Sequence, residues 1–231
     1  DLPHDWSIED LPGTQSPFNP DAISHVNGGF TTGGTAWYRK SFAVPNESKG
    51  KRIRIQFDGV YMNAEVWLNG QWVGIHPYGY TSFWLDLTDK IKFGGENLLA
   101  VKVRNEGENS RWYSGSGIYR HVWLSTLDPT HVAQWGTYIT TPEVTTSSAL
   151  VNIKTRIQNE SDKPSRVTLT TQLIDFEGRQ VANVDSIETV DPKSTLEFKQ
   201  EATVQSPRLW STDTPILYKA ITNVSRDGRS V

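Results

Sequence analysis

The chain has 231 residues, a formal net charge of -3 with the two signs interspersed, no cysteine, and nine tryptophans beside eight tyrosines. Such a balance supplies neither a basic stripe for nucleic acid nor an acidic tail, and the lack of cysteine excludes disulfides, thiolate metal sites and cysteine nucleophiles without fixing a compartment. No apolar run approaches the ~20 residues of a membrane span, and the opening DLPHDWSIED does not resemble a signal peptide, so periplasm and cytoplasm both stay open.

The length suits one or two domains. Residues 1–34 are rich in Gly, Pro, Asn and Asp without a sustained period, which predicts an extended arm laid over a folded body. Trp37 to Val44 reads as the first strand, closed by a Pro-Asn-Glu-Ser turn. In Arg52 to Phe57, Ile53, Ile55 and Phe57 alternate with Arg52, Arg54 and Gln56, the pattern of a strand with one wet face. Asn69-Gly70 is the strongest hairpin signal in the chain, because a type I′ turn needs positive φ at both central positions. Counting outward pairs Leu68 with Gln71, Trp67 with Trp72, Val66 with Val73, Glu65 with Gly74 and Ala64 with Ile75. The two indoles are then expected to stack on one face, with Val66, Val73, Ala64 and Ile75 on the other. A ribbon apolar on both faces is expected to be covered twice, once by its own sandwich and once by something else.

Phe83, Leu85 and Leu87 alternate next, Gly94-Gly95 leads into Leu98 to Val103, Asn105 to Gly117 forms a polar loop, and Ile118 to Thr126 is a further strand. Eight or so short strands with no helical period predict a two-sheet jelly roll. At Asp128-Pro129-Thr130 aromatics thin out and Thr, Val and Ser take over, which divides the chain into residues 1–128 and 129–231. Beyond it, residues 151–157, 167–173 and 196–202 alternate cleanly, with turns at Asn159 to Pro164 and Glu177-Gly178, the pattern of an immunoglobulin-like sandwich. Asp227-Gly228 is a turn signal followed by only three residues, so the last hairpin is expected to be truncated. The fold class expected is therefore all-β, a jelly-roll β-sandwich of the galactose-binding-like kind followed by an immunoglobulin-like β-sandwich.

Catalytic signatures are sparse. Hydrolysis through two carboxylates needs an acid and a nucleophile about 5 to 5.5 Å apart in retaining glycosidases, and Glu106 and Glu108 are merely two apart in a loop. The five histidines lack metal spacing, Ser114 and Ser116 lack the G-x-S-x-G elbow, and no phosphate loop is present. Asn46, Asn159 and Asn223 each open a glycosylation sequon too short to weigh alone. The best functional surface is the polar loop. Asn105, Glu106, Asn109, Arg111, Trp112 and Tyr113 crowd hydrogen-bonding groups and aromatic faces into nine positions, suited to sugar hydroxyls or to packing on another domain; Arg111 and Arg120 could equally pair with acids at a domain seam.

LPHDW at Leu2 to Trp6, GGTAWYRKSF at Gly33 to Phe42, DGVYMNAEVWLNGQWVGIHPYGYTSF, SRWYSGSGIYRHVWL at Ser110 to Leu124 and PRLWSTDTPILY at Pro207 to Tyr218 together resemble the N-terminal portion of bacterial glycoside hydrolase family 2, most like its β-galactosidases. The resemblance implies a sugar-binding jelly roll, an immunoglobulin-like domain, and then a C-terminal TIM barrel bearing two catalytic glutamates that hydrolyses terminal β-galactosides with retention. The segment itself would carry no catalytic residue and be inactive, its jelly-roll loop helping to complete the sugar subsite through Asn105, Glu106, Arg111 and Trp112. Many relatives carry Asp-Asn where this chain has Arg104 and Asn105, so galactose, glucuronate and mannose stay open as the sugar. Mg²⁺ or Na⁺, where the family holds it, is bound mainly by residues beyond Val231, so none is expected in this segment. The implied partners are a β-galactoside or related glycoside and the TIM barrel of the same chain, with a homo-oligomer allowed, and neither nucleic acid nor membrane. Two other readings stand beside this one: an independent lectin-like module stacking sugars on Trp67, Trp72 or Trp112, and a pair of structural spacers.

Overall fold

The computed structural model describes residues 1–226 and 228–231, and it divides into two compact units, Asp1–Thr126 and Leu127–Val231. Unit 1 is an all-β jelly-roll sandwich. Among the described residues it has seven strands: β1 (Gly34–Ala43), β2 (Arg52–Phe57), β3 (Ala64–Leu68), β4 (Gln71–His76), β5 (Phe83–Asp86), β6 (Glu96–Asn105) and β7 (Val122–Leu127). One sheet runs β1-β6-β3-β4 and the other β5-β2-β7. Residues 1–33 form an arm with short 3-10 turns at Trp6–Ile8 and Val26–Gly28. The core lies between the sheets: Ala64, Val66, Leu68, Val101 and Val103 face Ile53, Ile55, Phe57, Phe83 and Leu87. Phe57 and Phe83 stack with centroids 4.9 Å apart, and His76 lies over the Phe83 ring at 4.4 Å. Burial pushes the His76 imidazole below its ordinary pKa, with a backbone hydrogen bond at Tyr78 opposing it.

The hairpin forms as its turn dictates, with positive φ at Asn69 and Gly70 and the pairs Leu68 with Gln71 and Trp67 with Trp72. Beyond those pairs the expected register fails. A β-bulge between Val66 and Trp67 makes Val66 face Gly74, Glu65 face Ile75 and Ala64 face His76. The extra residue rotates β4, so Ile75 is exposed while Val66 and Ala64 are fully buried. Glycine at position 74 fits this placement, because a Cβ there would lie 2.8 Å from Leu85 Cδ2. The indoles do not stack either: Trp67 meets Trp72 edge-on, 5.2 Å apart with planes at 77°, the alternative aromatic geometry. Trp37 reaches the same spot from β1, 5.1 Å from Trp67. Ala100 of β6, opposite Trp67, leaves room for the two rings to meet above it. The wet face expected on β2 is also drier than its pattern suggests, since Arg54 is 3% exposed with its guanidinium 4.5 Å from the Trp84 ring centre.

Unit 2 is an immunoglobulin-like sandwich. Its strands are β8 (Thr130–Val144), β9 (Ser148–Asn159), β10 (Ser165–Ile174), β11 (Gln180–Val190), β12 (Ser194–Gln205), β13 (Lys219–Arg226) and β14 (Arg229–Ser230). The sheets run β12-β9-β8 and β11-β10-β13-β14. Periodicity reveals β9, β10 and β12, whereas β8 hides because two register shifts, at Val132/Thr137 and Thr140/Glu143, break its alternation. Asp227, in the expected last turn, lies outside the described residues. Between the sheets sits a polar contact: the Gln200 amide, 5% exposed, accepts from Thr171 Oγ1 at 2.7 Å and donates to Leu169 O at 2.9 Å and Val184 O at 3.3 Å. No helix among the described residues is long and apolar enough to cross a membrane.

Truncating Phe57 to alanine removes a fully buried ring and is expected to cost about 3–5 kcal/mol, read as a drop in the urea midpoint of unit 1 by tryptophan emission; a cost below about 1 kcal/mol would contradict its central position. Asp175 is a second test. Burial raises its pKa, but the Arg179 backbone N–H, the Arg179 guanidinium at 2.9 Å and the Glu177 backbone N–H outweigh that and hold the carboxyl below its ordinary value. A depressed folded pKa adds stability that is full above the ordinary carboxylate range and lost as pH falls through the folded value. The stability gap between wild type and Asp175→Asn should thus be present at neutral pH and close below about pH 4; a gap persisting at lower pH would contradict it.

Candidate functional site

The polar loop joins β6 to β7, and Asn105, the last residue of β6, is its anchor. Asn105 pairs with Gly34 of β1 and is 8% exposed. Its Nδ2 donates to Ser116 Oγ at 2.7 Å and to Gly115 O at 3.1 Å, and its Oδ1 accepts from Asn109 Nδ2 at 2.6 Å. Tyr61 Oη, from a ring 3% exposed, donates to Asn109 Oδ1 at 3.1 Å. A buried amide left without partners costs about 1–3 kcal/mol, so the loop is bound to the shape that supplies them.

The arm closes the other side. Asp5 Oδ1 accepts from Ser7 N at 2.9 Å and Ser116 N at 2.8 Å, while Tyr113 Oη donates to Asp5 Oδ2. Ser7 Oγ donates to Ser116 Oγ at 2.6 Å, and Trp6 N to Ser116 O at 3.0 Å. Burial, and then the neighbouring Asp5 carboxylate, push the Tyr113 hydroxyl well above its ordinary pKa, so it stays a donor.

Between arm and loop lies a hollow of about 280 Å³, bordered by Asn19, Asp21 and Ser24 of the arm and by Asn105, Glu106 and Glu108. Glu106 Oε1 accepts from Thr35 Oγ1 at 2.8 Å, and Glu108 Oε1 lies 3.6 Å from His25 Nε2. Its lining mixes hydroxyls, amides and carboxylates with Ala22, Ile23 and several glycines, which offers a sugar or other polyol both hydrogen-bonding groups and carbon surface. A larger hollow of about 630 Å³ is lined by Ile55, Phe57, Val101, Ile118 and Leu124 together with Asp1, Tyr38, Arg39 and Lys40. Among the described residues no three of His, Asp and Glu gather as metal ligands.

The four site residues expected from sequence therefore separate. Asn105 and Glu106 border the polar hollow; Arg111 and Trp112 do not line it. Trp112, 59% exposed, donates from Nε1 to Tyr80 Oη at 2.9 Å and joins an aromatic group in which Tyr80 lies 5.1 Å from Tyr61 and 5.7 Å from Tyr78. Arg111 is exposed and makes no hydrogen bond or ion pair with a described residue. The residues missed are Asp5, Ser7 and Ser116. The signal for them was the alternating Ser-Gly-Ser-Gly at residues 114–117, which permits close backbone approach and positive φ at Gly115 and Gly117.

Unit 1 is thus a jelly-roll sandwich whose arm and loop border a hollow, and the chain continues into an immunoglobulin-like sandwich. Comparison with known proteins makes this particular. Residues 14–128 match the model of the glycosyl hydrolases family 2 sugar binding domain, and residues 130–231 match a second glycosyl hydrolases family 2 model. The chain belongs to glycoside hydrolase family 2. It is 50% identical to the β-galactosidase BoGH2A of Bacteroides ovatus over 98% of its length and 26% of that protein. It is 33% identical to a β-glucuronidase of Formosa agariphila, over 86% of this chain and 22% of the relative. The crystal structure of a family 2 member from Bacteroides cellulosilyticus superposes with a TM-score of 0.97 at 47% identity, covering all of this chain and 30% of that one. The chain thus spans about a quarter of the length of the curated relatives it matches.

Gly115 has φ of +70°, and a Cβ there would lie 2.8 Å from Asp5 Oδ2. Gly115→Ala should therefore loosen arm and loop together, lowering unit 1 stability by about 1–3 kcal/mol in urea unfolding; no change in the midpoint would contradict the close approach.

Proposed function

We propose that residues 1–231 are the non-catalytic front of a retaining glycoside hydrolase that cleaves terminal β-galactosides, and that the loop after Asn105 helps complete the sugar subsite of a TIM barrel carried elsewhere in the same polypeptide. The observation that carries this reading is the hollow bordered by Asn105 and Glu106, where a buried, fully bonded amide holds a hydroxyl-rich loop in one shape. Family membership supports the reaction class, and a relative named as a β-galactosidase at half identity supports the sugar. The catalytic acid and nucleophile, and any Mg²⁺ or Na⁺ site, are assigned outside this segment; the segment alone is inactive.

A second sugar is favoured by a specific observation. Arg104 and Arg111 are both exposed in or beside the loop, and relatives named as β-glucuronidases cover most of this chain. A guanidinium at the subsite rim would suit a uronate carboxylate, which accepts its paired N–H donors. The lectin-like reading rests on the exposed rings of Trp72 and Trp112; the spacer reading rests on none of the residues bordering the hollow.

Full-length protein should cleave nitrophenyl β-galactoside while residues 1–231 do not, and Asn105→Ala in the full-length enzyme should lower kcat/KM roughly 10- to 100-fold. Preference for nitrophenyl β-glucuronide would move the substrate to the uronates. Unchanged kcat/KM in the variant would reduce unit 1 to a spacer, and micromolar binding of galactose or lactose by the segment in calorimetry would make it a lectin, since a half-site should bind at millimolar affinity or weaker.

A further inference from the structure

We infer that Asp5 is a positioning residue for the glycosidase reaction: its carboxylate clamps residues 113–116 to the N-terminal arm and so sets the shape in which the Asn105 loop meets substrate. The inference rests on the subsite placement proposed above. It starts from a motif that no catalytic role has absorbed, LPHDW, whose aspartate lies over a hundred residues from the loop in sequence yet directs both carboxylate oxygens at it.

The two oxygens do different work. Oδ1 accepts two backbone N–H groups at once, Ser7 N at 2.9 Å and Ser116 N at 2.8 Å, tying the arm's own turn to the loop's return strand. Oδ2 accepts the Tyr113 hydroxyl, three residues earlier in the loop. One carboxylate thereby fixes both ends of the Tyr113–Ser116 segment. Ser116 passes the constraint on, because its Oγ accepts from Asn105 Nδ2 at 2.7 Å, and Asn105 in turn holds Asn109 at 2.6 Å. The chain of contacts from Asp5 through Ser116 and Asn105 to Asn109 ends at the border of the polar hollow.

Neighbouring backbone reinforces the arrangement without replacing it. His4 N donates to Ile118 O at 2.8 Å and Trp6 N to Ser116 O at 3.0 Å, so the arm is paired with residues 116–118 on either side of Asp5. Removing the carboxylate leaves these bonds in place while freeing Tyr113 and the exposed Arg111 two residues before it. Asp5 itself touches neither the hollow nor any residue proposed to contact sugar, apart from acting through Ser116 and Tyr113. Its loss should therefore weaken substrate binding more than it slows the bound complex.

The test compares Asp5→Ala, Asp5→Asn and Tyr113→Phe in the full-length protein. Tryptic cleavage after Arg111 should quicken about tenfold in Asp5→Ala, because proteolysis follows local opening. KM for the nitrophenyl glycoside should rise about tenfold with kcat within threefold. Asp5→Asn keeps the Oδ1 acceptor and should fall between wild type and alanine; Tyr113→Phe, which retains the ring, guards against a folding defect and should raise cleavage at Arg111 alone. Unchanged cleavage in both Asp5→Ala and Tyr113→Phe would overturn the clamp. Quicker cleavage with unchanged KM would leave the clamp and reject the subsite placement, and an equal fall of kcat with melting temperature would make Asp5 a general fold residue.

Discussion

The geometry of the loop after β6 in unit 1 depends on one buried amide. Asn105 closes a strand, so its backbone is fixed by the ladder to Gly34, and its side chain then has to find partners where water does not reach. Ser116, Gly115 and Asn109 are those partners, and they can be in place only if the intervening residues fold back on themselves. A polar group that would be a liability in a core becomes an ordering device at its edge, because its unsatisfied state is so costly. The loop owes its form to this constraint more than to any packing of its own, as its members from Glu106 to Asn109 are exposed.

Around that anchor the aromatic side chains separate into two populations. Phe57 and Phe83 are core and hold the sheets together. Trp37, Trp67 and Trp72 meet on the outer side of the β1-β6-β3-β4 sheet, and Trp112 with Tyr78 and Tyr80 stands near the loop. Tryptophan abundance in the composition therefore marks surface rather than interior, since none of the nine is buried. The hollow and these rings are different chemical environments, one bordered by hydroxyls, amides and carboxylates, the other made of exposed π faces.

Much of this was legible from residue order alone, for identifiable reasons. Asn69-Gly70 specifies its turn locally, so the Trp67–Trp72 pair could be counted out. The bulge one step later could not, because nothing in Val66 or Val73 announces an extra residue; it leaves Gly74 so close to Leu85 that a Cβ would lie 2.8 Å from Leu85 Cδ2. In the same way β9, β10 and β12 declare themselves by alternation while β8 is masked by its two shifts. Asn105 and Glu106 lie together at the border of the hollow because one ends a strand and the other opens the loop. Arg111 and Trp112, only a few positions further on, diverge from them, since the glycines and serines that follow let the chain reverse in ways no periodicity records. Asp5 was invisible as a partner because its contacts span the whole unit.

In unit 2 the side-chain amide of Gln200 has a consequence for how the sandwich assembles. Sliding β12 by two residues along β9 would keep every apolar side chain pointing inward, so the hydrophobic pattern cannot forbid it. The slide would carry the buried amide away from Thr171 Oγ1 and the Leu169 and Val184 carbonyls, depriving it of all three partners in an oily interior. Gln200 thus acts as a key cut for a single alignment, and polarity at the centre of this sandwich selects among otherwise equivalent strand offsets.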